Sequence, residues 1–273
     1  MVRRSELGEY LRARRAAIAP ADVGLPGGTH RRTPGLRREE LAMLAGVSVT
    51  WYTWLEQGRP INASRDVLDA LARTLRLDDA GREHLHALAT TDGASGAPAP
   101  TDVPDALVRL ITSMEPAPAY VLGPRWELVA WNRAQARLYP RIDTLDEERR
   151  NLLWVVFADP DARSLLADWP DQARRMVAEW RAVTAPLRAD AQVAALVDEL
   201  VRCSPEFASW WPEQDVAAFR TRLRRYRHPR AGDLVFEYQQ LTPSEWPSLR
   251  VVCQLPVPGD DSATRLAAWH DVA

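Results

Sequence analysis

Between Arg37 and Glu56 the chain reads RREELAMLAGVSVTWYTWLE, and its residue types suit the edges of base pairs and the phosphates beside them. Taken as helix, turn and helix, this stretch leaves Ser48, Val49, Thr50, Thr53 and Trp54 outward on its second helix. Hydroxyls there can donate and accept, methyl groups can meet thymine, and an indole can support them or pack on the sugar-phosphate wall; this is the chemistry of major-groove reading. Just ahead stand Arg31, Arg32, Arg37 and Arg38. Their planar, permanent cations suit phosphate, and such contacts hold a duplex without choosing its sequence.

The elements that must hold these residues are readable in the same stretch. Glu39 to Ala45 is expected as the first helix, with Leu41 and Leu44 inward. Gly46 ends it, because the residue past a helix commonly needs a positive φ. Ser48 caps the second helix through its hydroxyl, Ala42 is small enough to let the helices cross, and Tyr52 and Leu55 face inward. Further helical patterns carry Leu7, Tyr10 and Leu11, then Leu68, Leu71 and Leu75, then Leu85 and Leu88. About five short helices make a small all-α module. Its loop PADVGLPGGTHRRTPG presents Arg31 and Arg32 just before the motif.

Charge agrees with that assignment. All 35 basic residues are arginine; residues 1–76 carry 13 of them against 8 acids, whereas residues 91–273 carry 21 against 26. Only the front of the chain presents a basic excess to a polyanion such as double-stranded DNA. RRTPGLRREELAMLAGVSVTWYTWLEQGRP resembles the N-terminal domain of Xre-type helix-turn-helix regulators, in the MmyB-like subgroup, over roughly Leu7 to Ala89. One departure is Arg38, where many of those relatives have a glutamine that braces a phosphate contact; an arginine also reaches phosphate, with different geometry.

The stretch TTDGASGAPAPTDVP is too small and polar to join a core and divides the chain into residues 1–90, a linker at 91–103 and a second domain at 104–273. Nine of the eleven tryptophans lie in that second domain. Strand-like runs occur at Ala119 to Leu122, Trp126 to Trp131, Arg220 to Tyr226, Asp233 to Leu241 and Leu249 to Leu255. Helical patterns lie between, at Leu152 to Phe157, Gln172 to Val183 and Ala191 to Val201. This order predicts an α+β fold, an antiparallel sheet carrying helices on one face and wrapping a pocket.

The segments AYVLGPRWELVAWN, RNLLWVVF, DW with AEWR, SPEFASWWPEQDV and HPRAGDLVFEY, in that order, resemble the C-terminal ligand-binding domain of MmyB-like regulators. The resemblance implies a PAS-like fold and an apolar or amphipathic effector of the fatty-acid kind. Such a ligand needs an apolar tunnel, worth about 0.8 kcal/mol per methylene, and polar groups at its head. Trp131, Trp154, Phe157, Trp180, Trp211 and Phe236 are candidates for the wall, and Asn132, Asn151 and Arg181 for the head, with Arg181 the expected carboxylate partner. Asn132 has an equal alternative role as a helix cap, and the aromatics as ordinary core.

Several classes are set aside. No nucleophile elbow, phosphate loop or dinucleotide fingerprint occurs, and the five histidines form no ligand spacing, so neither enzyme activity nor a metal or other cofactor is expected. Cys203 and Cys253 stand far apart and read as buried thiols. With 46% hydrophobic and 26% charged residues, no apolar run of spanning length and no leader pattern, a cytoplasmic protein without membrane attachment is expected. One helix-turn-helix covers few base pairs, so a homodimer with motifs about 34 Å apart is expected on a two-fold site. The competing reading is a DNA-binding protein whose second domain is a ligand-free interaction or dimerisation module.

Overall fold

A computed structural model describes residues 2–26, 35–59, 61, 63–89, 103–187 and 190–271. The linker expected at 91–103 therefore lies, except for Val103, outside the described residues. The first part holds α1 (Val2–Ala17), α2 (Arg38–Ala45), α3 (Val49–Glu56), α4 (Arg65–Thr74) and α5 (Asp79–Ala89). Their starts follow from short polar side chains. The backbone N–H of Trp51 donates to Ser48 Oγ at 3.1 Å, and that of Val67 to Ser64 Oγ at 3.4 Å. Between α2 and α3, Gly46 has φ +70°, a conformation an L side chain rarely adopts. Gly8 serves a different need, since a Cβ there would stand 2.2 Å from the carbonyl oxygen of Glu56, so its absence lets α1 lie against the end of α3.

Leu41, Ala42, Tyr52 and Leu55 are buried in the shared core, as the motif requires. Leu44 is not: it is 39% exposed, and Ala45 turns inward in its place. With α2 only eight residues long, Leu41 and Ala45 define the inward row at i and i+4, and Leu44 falls beside it.

The second part opens with α6 (Asp105–Ser113), β1 (Ala119–Leu122) and β2 (Leu128–Trp131). Six helices follow: α7 (Arg133–Leu138), α8 (Leu152–Ala158), α9 (Pro160–Leu165), α10 (Trp169–Thr184), α11 (Ala191–Cys203) and α12 (Pro205–Trp210). The chain then returns through β3 (Arg222–His228), β4 (Gly232–Leu241) and β5 (Arg250–Pro256) to α13 (Ser262–Asp271). The five strands form one antiparallel sheet in the order β2-β1-β5-β4-β3. Strand parity sets its faces: Leu234, Phe236 and Tyr238 of β4 and Arg224, Tyr226 and His228 of β3 point to the helical side. On the other side α6 covers Ala119, Val121, Val251 and Cys253 with Leu107 and Ile111. Both edges are partly closed by single backbone bonds, Leu128 N to Arg150 O at 2.7 Å and Ala167 N to Arg225 O at 3.0 Å.

The expected strand from Trp126 starts later, at Leu128, because Trp126 sits at φ +67° in a turn closed by its N–H on Gly123 O. The strand expected from Arg220 to Tyr226 is displaced to Arg222–His228. Cys253 is buried, but Cys203 is exposed at the end of α11, contrary to expectation. Among the described residues no helix is long and apolar enough to cross a membrane.

Asn132 ties three elements together. Its Oδ1 accepts from Gln135 N at 2.9 Å, capping α7, and from Ala119 N at 3.0 Å at the start of β1. Its Nδ2 donates to the carbonyls of Ile111 at 3.0 Å and Ala117 at 2.9 Å. The cap role is the one it has. Asn132→Ala strands buried backbone groups and is expected to lower stability by about 3 kcal/mol. Asn132→Asp, which cannot donate to either carbonyl, is expected to be no better; urea midpoints of the three proteins check this.

Candidate functional site

Two surfaces combine chemistry with access. On the first, Ser48, Val49, Thr50 and Trp54 of the α3 region are exposed and Thr53 is half-buried, with the Arg59 guanidinium 5.6 Å from the centre of the Trp54 ring. Arg37 is exposed, while Arg31 and Arg32 lie outside the described residues. Arg38 is partly drawn in: its Nε donates to Glu56 Oε2 at 2.7 Å. The carboxylate it meets is buried, and Arg15 on α1 holds the other oxygen through Nε at 2.6 Å while its Nη1 donates to Leu36 O at 2.6 Å. Burial opposes ionisation of Glu56, but the hydrogen bonds from Arg15 and Arg38 outweigh it and hold the carboxyl below its ordinary range. Glu56 thus joins α1, α2 and α3, and fixes Arg38 by one edge of its guanidinium.

The second surface is a small cleft of about 50 Å³, partly open to solvent, between the inner sheet face and helices α7, α8 and α9. Its wall is aliphatic: Leu128, Leu138, Ile142, Leu152, Val155, Val156, Ala162, Leu165 and Leu166, with Tyr139. At one end the lining turns polar, with Tyr120, Gln135, Arg224, Tyr226 and Gln254. Tyr120 and Tyr238 share a hydroxyl hydrogen bond of 2.6 Å, Tyr226 donates its hydroxyl to Gln254 Oε1, and Gln254 Nε2 donates to Gln135 Oε1 at 2.9 Å.

Arg224 stands out within this end. It is 4% exposed, its guanidinium lies 3.6 Å from the centre of the Tyr238 ring, and its Nε has no hydrogen-bond partner. Among the described residues no carboxylate comes within ion-pairing distance of it. Burial disfavours its charge, yet Tyr238, Tyr226 and Tyr120 favour it more, and its pKa moves up from the usual guanidinium value. Burial likewise raises the pKa values of Tyr120 and Tyr226, leaving neutral hydroxyls beside a cation. A buried cation with no carboxylate beside it would offer a counter-charge to an anion entering the cleft.

None of the nine residues expected at the ligand lines this cleft. Arg181 is 1% exposed and donates to the backbone carbonyls of Trp211 and Asp215, on the far side of α10. Asn151 caps α8 through Leu153 N at 2.9 Å and donates to Arg125 O at 2.7 Å. Trp180 donates to Arg125 O at 3.0 Å, Trp154 to Glu199 at 2.8 Å and Trp131 to Asp143 at 2.8 Å. Phe157 and Trp211 both pack on Phe207, Phe236 packs on Tyr226, and Asn132 is the cap already described.

Helix geometry accounts for this. On α8, Leu152, Val155 and Val156 share one face and line the cleft, whereas Trp154 and Phe157 occupy another and meet α11 and α12. Arg224 was detectable in principle: it shares strand parity with Tyr226 and His228, so an arginine at that position must go inside.

Two family models match the chain. A model of a helix-turn-helix domain matches residues 6–85, and a model of the MmyB-like transcription regulator ligand binding domain matches residues 103–268. Both are DNA-binding or ligand-binding families rather than enzyme families. No curated protein matches the chain significantly.

The Glu56 geometry carries a pH dependence. Its folded pKa is depressed, so its contribution is complete above the unfolded value, about 4.3, and is lost as pH falls through the lower folded one. Glu56→Gln is expected to destabilise the helix-turn-helix domain by about 3 kcal/mol at neutral pH. It should also flatten the acid limb of stability against pH; urea melts from neutral to acid pH check both.

Proposed function

The chain belongs to the MmyB-like transcription regulators, and on that premise we propose a cytoplasmic one-component regulator whose second domain, PAS-like in plan, binds an amphipathic acid of the fatty-acid type. The observation that carries the ligand class is Arg224, a buried cation with an unpartnered Nε at the polar end of an aliphatic cleft. A carboxylate there gains a charge-assisted pair and hydroxyl donors, and its methylenes run along α7, α8 and α9 at about 0.8 kcal/mol each. Arg224 takes the head-group role that the sequence pointed to for Arg181, whose guanidinium is committed to backbone carbonyls.

In the first domain, Thr50 and Thr53 read base edges with Ser48 and Val49 beside them, and Trp54, backed by Arg59, packs on the sugar-phosphate wall. Arg37 and Arg38 hold phosphates, Arg38 pre-oriented by Glu56, and Arg31 and Arg32 extend that contact. The regulator works as a homodimer on a two-fold DNA site, which sedimentation of the free and DNA-bound protein tests.

Two outcomes are expected. Arg224→Gln should weaken decanoic acid at least about tenfold and decanol little, because only the acid loses a charge-assisted bond of about 1.5 to 3 kcal/mol; tryptophan fluorescence titrations read it. Equal weakening removes Arg224 from the head-group role, and no binding of apolar acids to the wild type favours a packed interaction module. Thr50→Ala with Thr53→Ala should cost about 1 to 3 kcal/mol of discrimination per contact in selection from random DNA. Arg38→Ala, in contrast, should weaken all sequences alike and lower the salt slope by about one.

A further inference from the structure

The segment Trp211–Val216, between α12 and β3, is held by both domains at once. From the ligand-binding side, the buried Arg181 donates to the carbonyls of Trp211 and Asp215, the latter at 2.9 Å, and its guanidinium lies 4.1 Å from the centre of the Trp211 ring. Gln214 at φ +58° turns the chain outward there. What it then presents, the Glu213 carbonyl and the Asp215 carboxylate, is taken by Arg14 of α1 at 2.9 and 2.7 Å. Arg174 on α10 holds the Glu213 carboxylate at 2.5 Å and stands 3.8 Å from Asp215. Val216 completes the contact by packing against the helix-turn-helix core.

The same segment connects to the back of the helix that lines the cleft through two phenylalanine rings. Val155 and Val156 of α8 line the cleft, and the next residue, Phe157, meets Phe207 edge-on at 5.2 Å. Phe207 stacks on Trp211 at 5.4 Å, and Trp211 carries Arg181. The two halves of the segment differ in strength. Arg181 is buried and bonded to backbone, a permanent anchor, whereas the side chains of Arg14 and Asp215 are 20% and 47% exposed. A pair of that kind is weak and screened by salt, so it can open without unfolding either domain.

We propose that Trp211–Val216 is a bracket that docks the helix-turn-helix domain onto the ligand-binding domain, with the Arg14–Asp215 ion pair as its releasable latch. A ligand shifts DNA affinity only through a difference in its own affinity for two states; the latched and unlatched arrangements are those states. The docking half stands on the geometry alone. The coupling half rests on the effector reading of the cleft.

The test uses the full-length chain with Asp215→Arg, Arg14→Asp and the two combined, which restores an opposite-charge pair. Asp215 is bonded to Arg181 through its backbone, so the substitutions leave the anchor in place. Without any ligand, hydrogen exchange at Ala13–Ala17 and Trp211–Val216 is expected to speed up about fivefold in each single variant and to return towards wild type in the double. Unchanged exchange in both single variants, or no recovery in the double, overturns the bracket.

Decanoic acid then separates the two halves. It is expected to bind Asp215→Arg as it binds wild type, while its effect on affinity for DNA selected by the protein falls from about fivefold or more to none. An unchanged effect in the variant overturns the latch. Failure of decanoic acid to bind either protein would count against the effector reading and the coupling, with exchange still deciding the docking.

Discussion

A guanidinium cannot shed its charge on burial, and in a chain whose 35 basic residues are all arginine, each one brought inside must find acceptors or remain a cost. The fold is organised around three answers to that constraint. Arg15 meets the buried Glu56 and the carbonyl of Leu36, which locks α1 to the helix-turn-helix motif. Arg181 meets two backbone carbonyls and an indole face, which shapes the segment between the domains. Arg224 meets tyrosines and the face of Tyr238 but no carboxylate, and lies where the cleft ends. The first two are satisfied by the protein itself, whereas the third retains an unpaired donor.

Around these arginines the apolar material divides by side-chain shape. Leucine, valine and isoleucine make most of the cleft wall, and behind it Phe157 meets Trp169 and Phe207 edge to face between α8, α10 and α12. Most of those indoles also place their N–H on a carbonyl or carboxylate, as buried indoles must. The arrangement gives the cleft a largely aliphatic lining with phenylalanine and indole rings behind it. The polar end is equally connected, since Gln254 joins Tyr226 on β3 to Gln135 on α7 and so ties the sheet to its helices.

The two domains meet through contacts of a different grade. The turn Ala185–Leu187 lies close to α5, Val216 packs against the helix-turn-helix core, and partly exposed ions lie in the segment that carries Val216. Contacts of this polar, partly wetted kind hold an orientation that can change, unlike the dry packing within either domain. The outward face of α3 shares none of the hydrogen bonds or ion pairs that Arg14 makes with Glu213 and Asp215, so the proposed DNA contact and the proposed docking use separate surfaces of the same helical module.

What the sequence determined by itself was local. Gly46 with its positive φ, Ser48 as a cap, Ala42 at the crossing and Tyr52 and Leu55 inward are consequences of backbone sterics and of periods of 3.6 and 2, which operate within a few residues. The five antiparallel strands and the intervening helices followed from the same kind of signal. The cleft did not, because it is formed by residues as far apart as Tyr120, Arg224 and Gln254, brought together by strand order and register that no local pattern specifies. The aromatics the sequence pointed to do not line this cleft, and Arg181 and Arg224 looked alike until partners separated them. Whether a buried arginine is spent on the fold or left for a ligand depends on which acceptors lie within about 3 Å of it, and only the tertiary structure sets those.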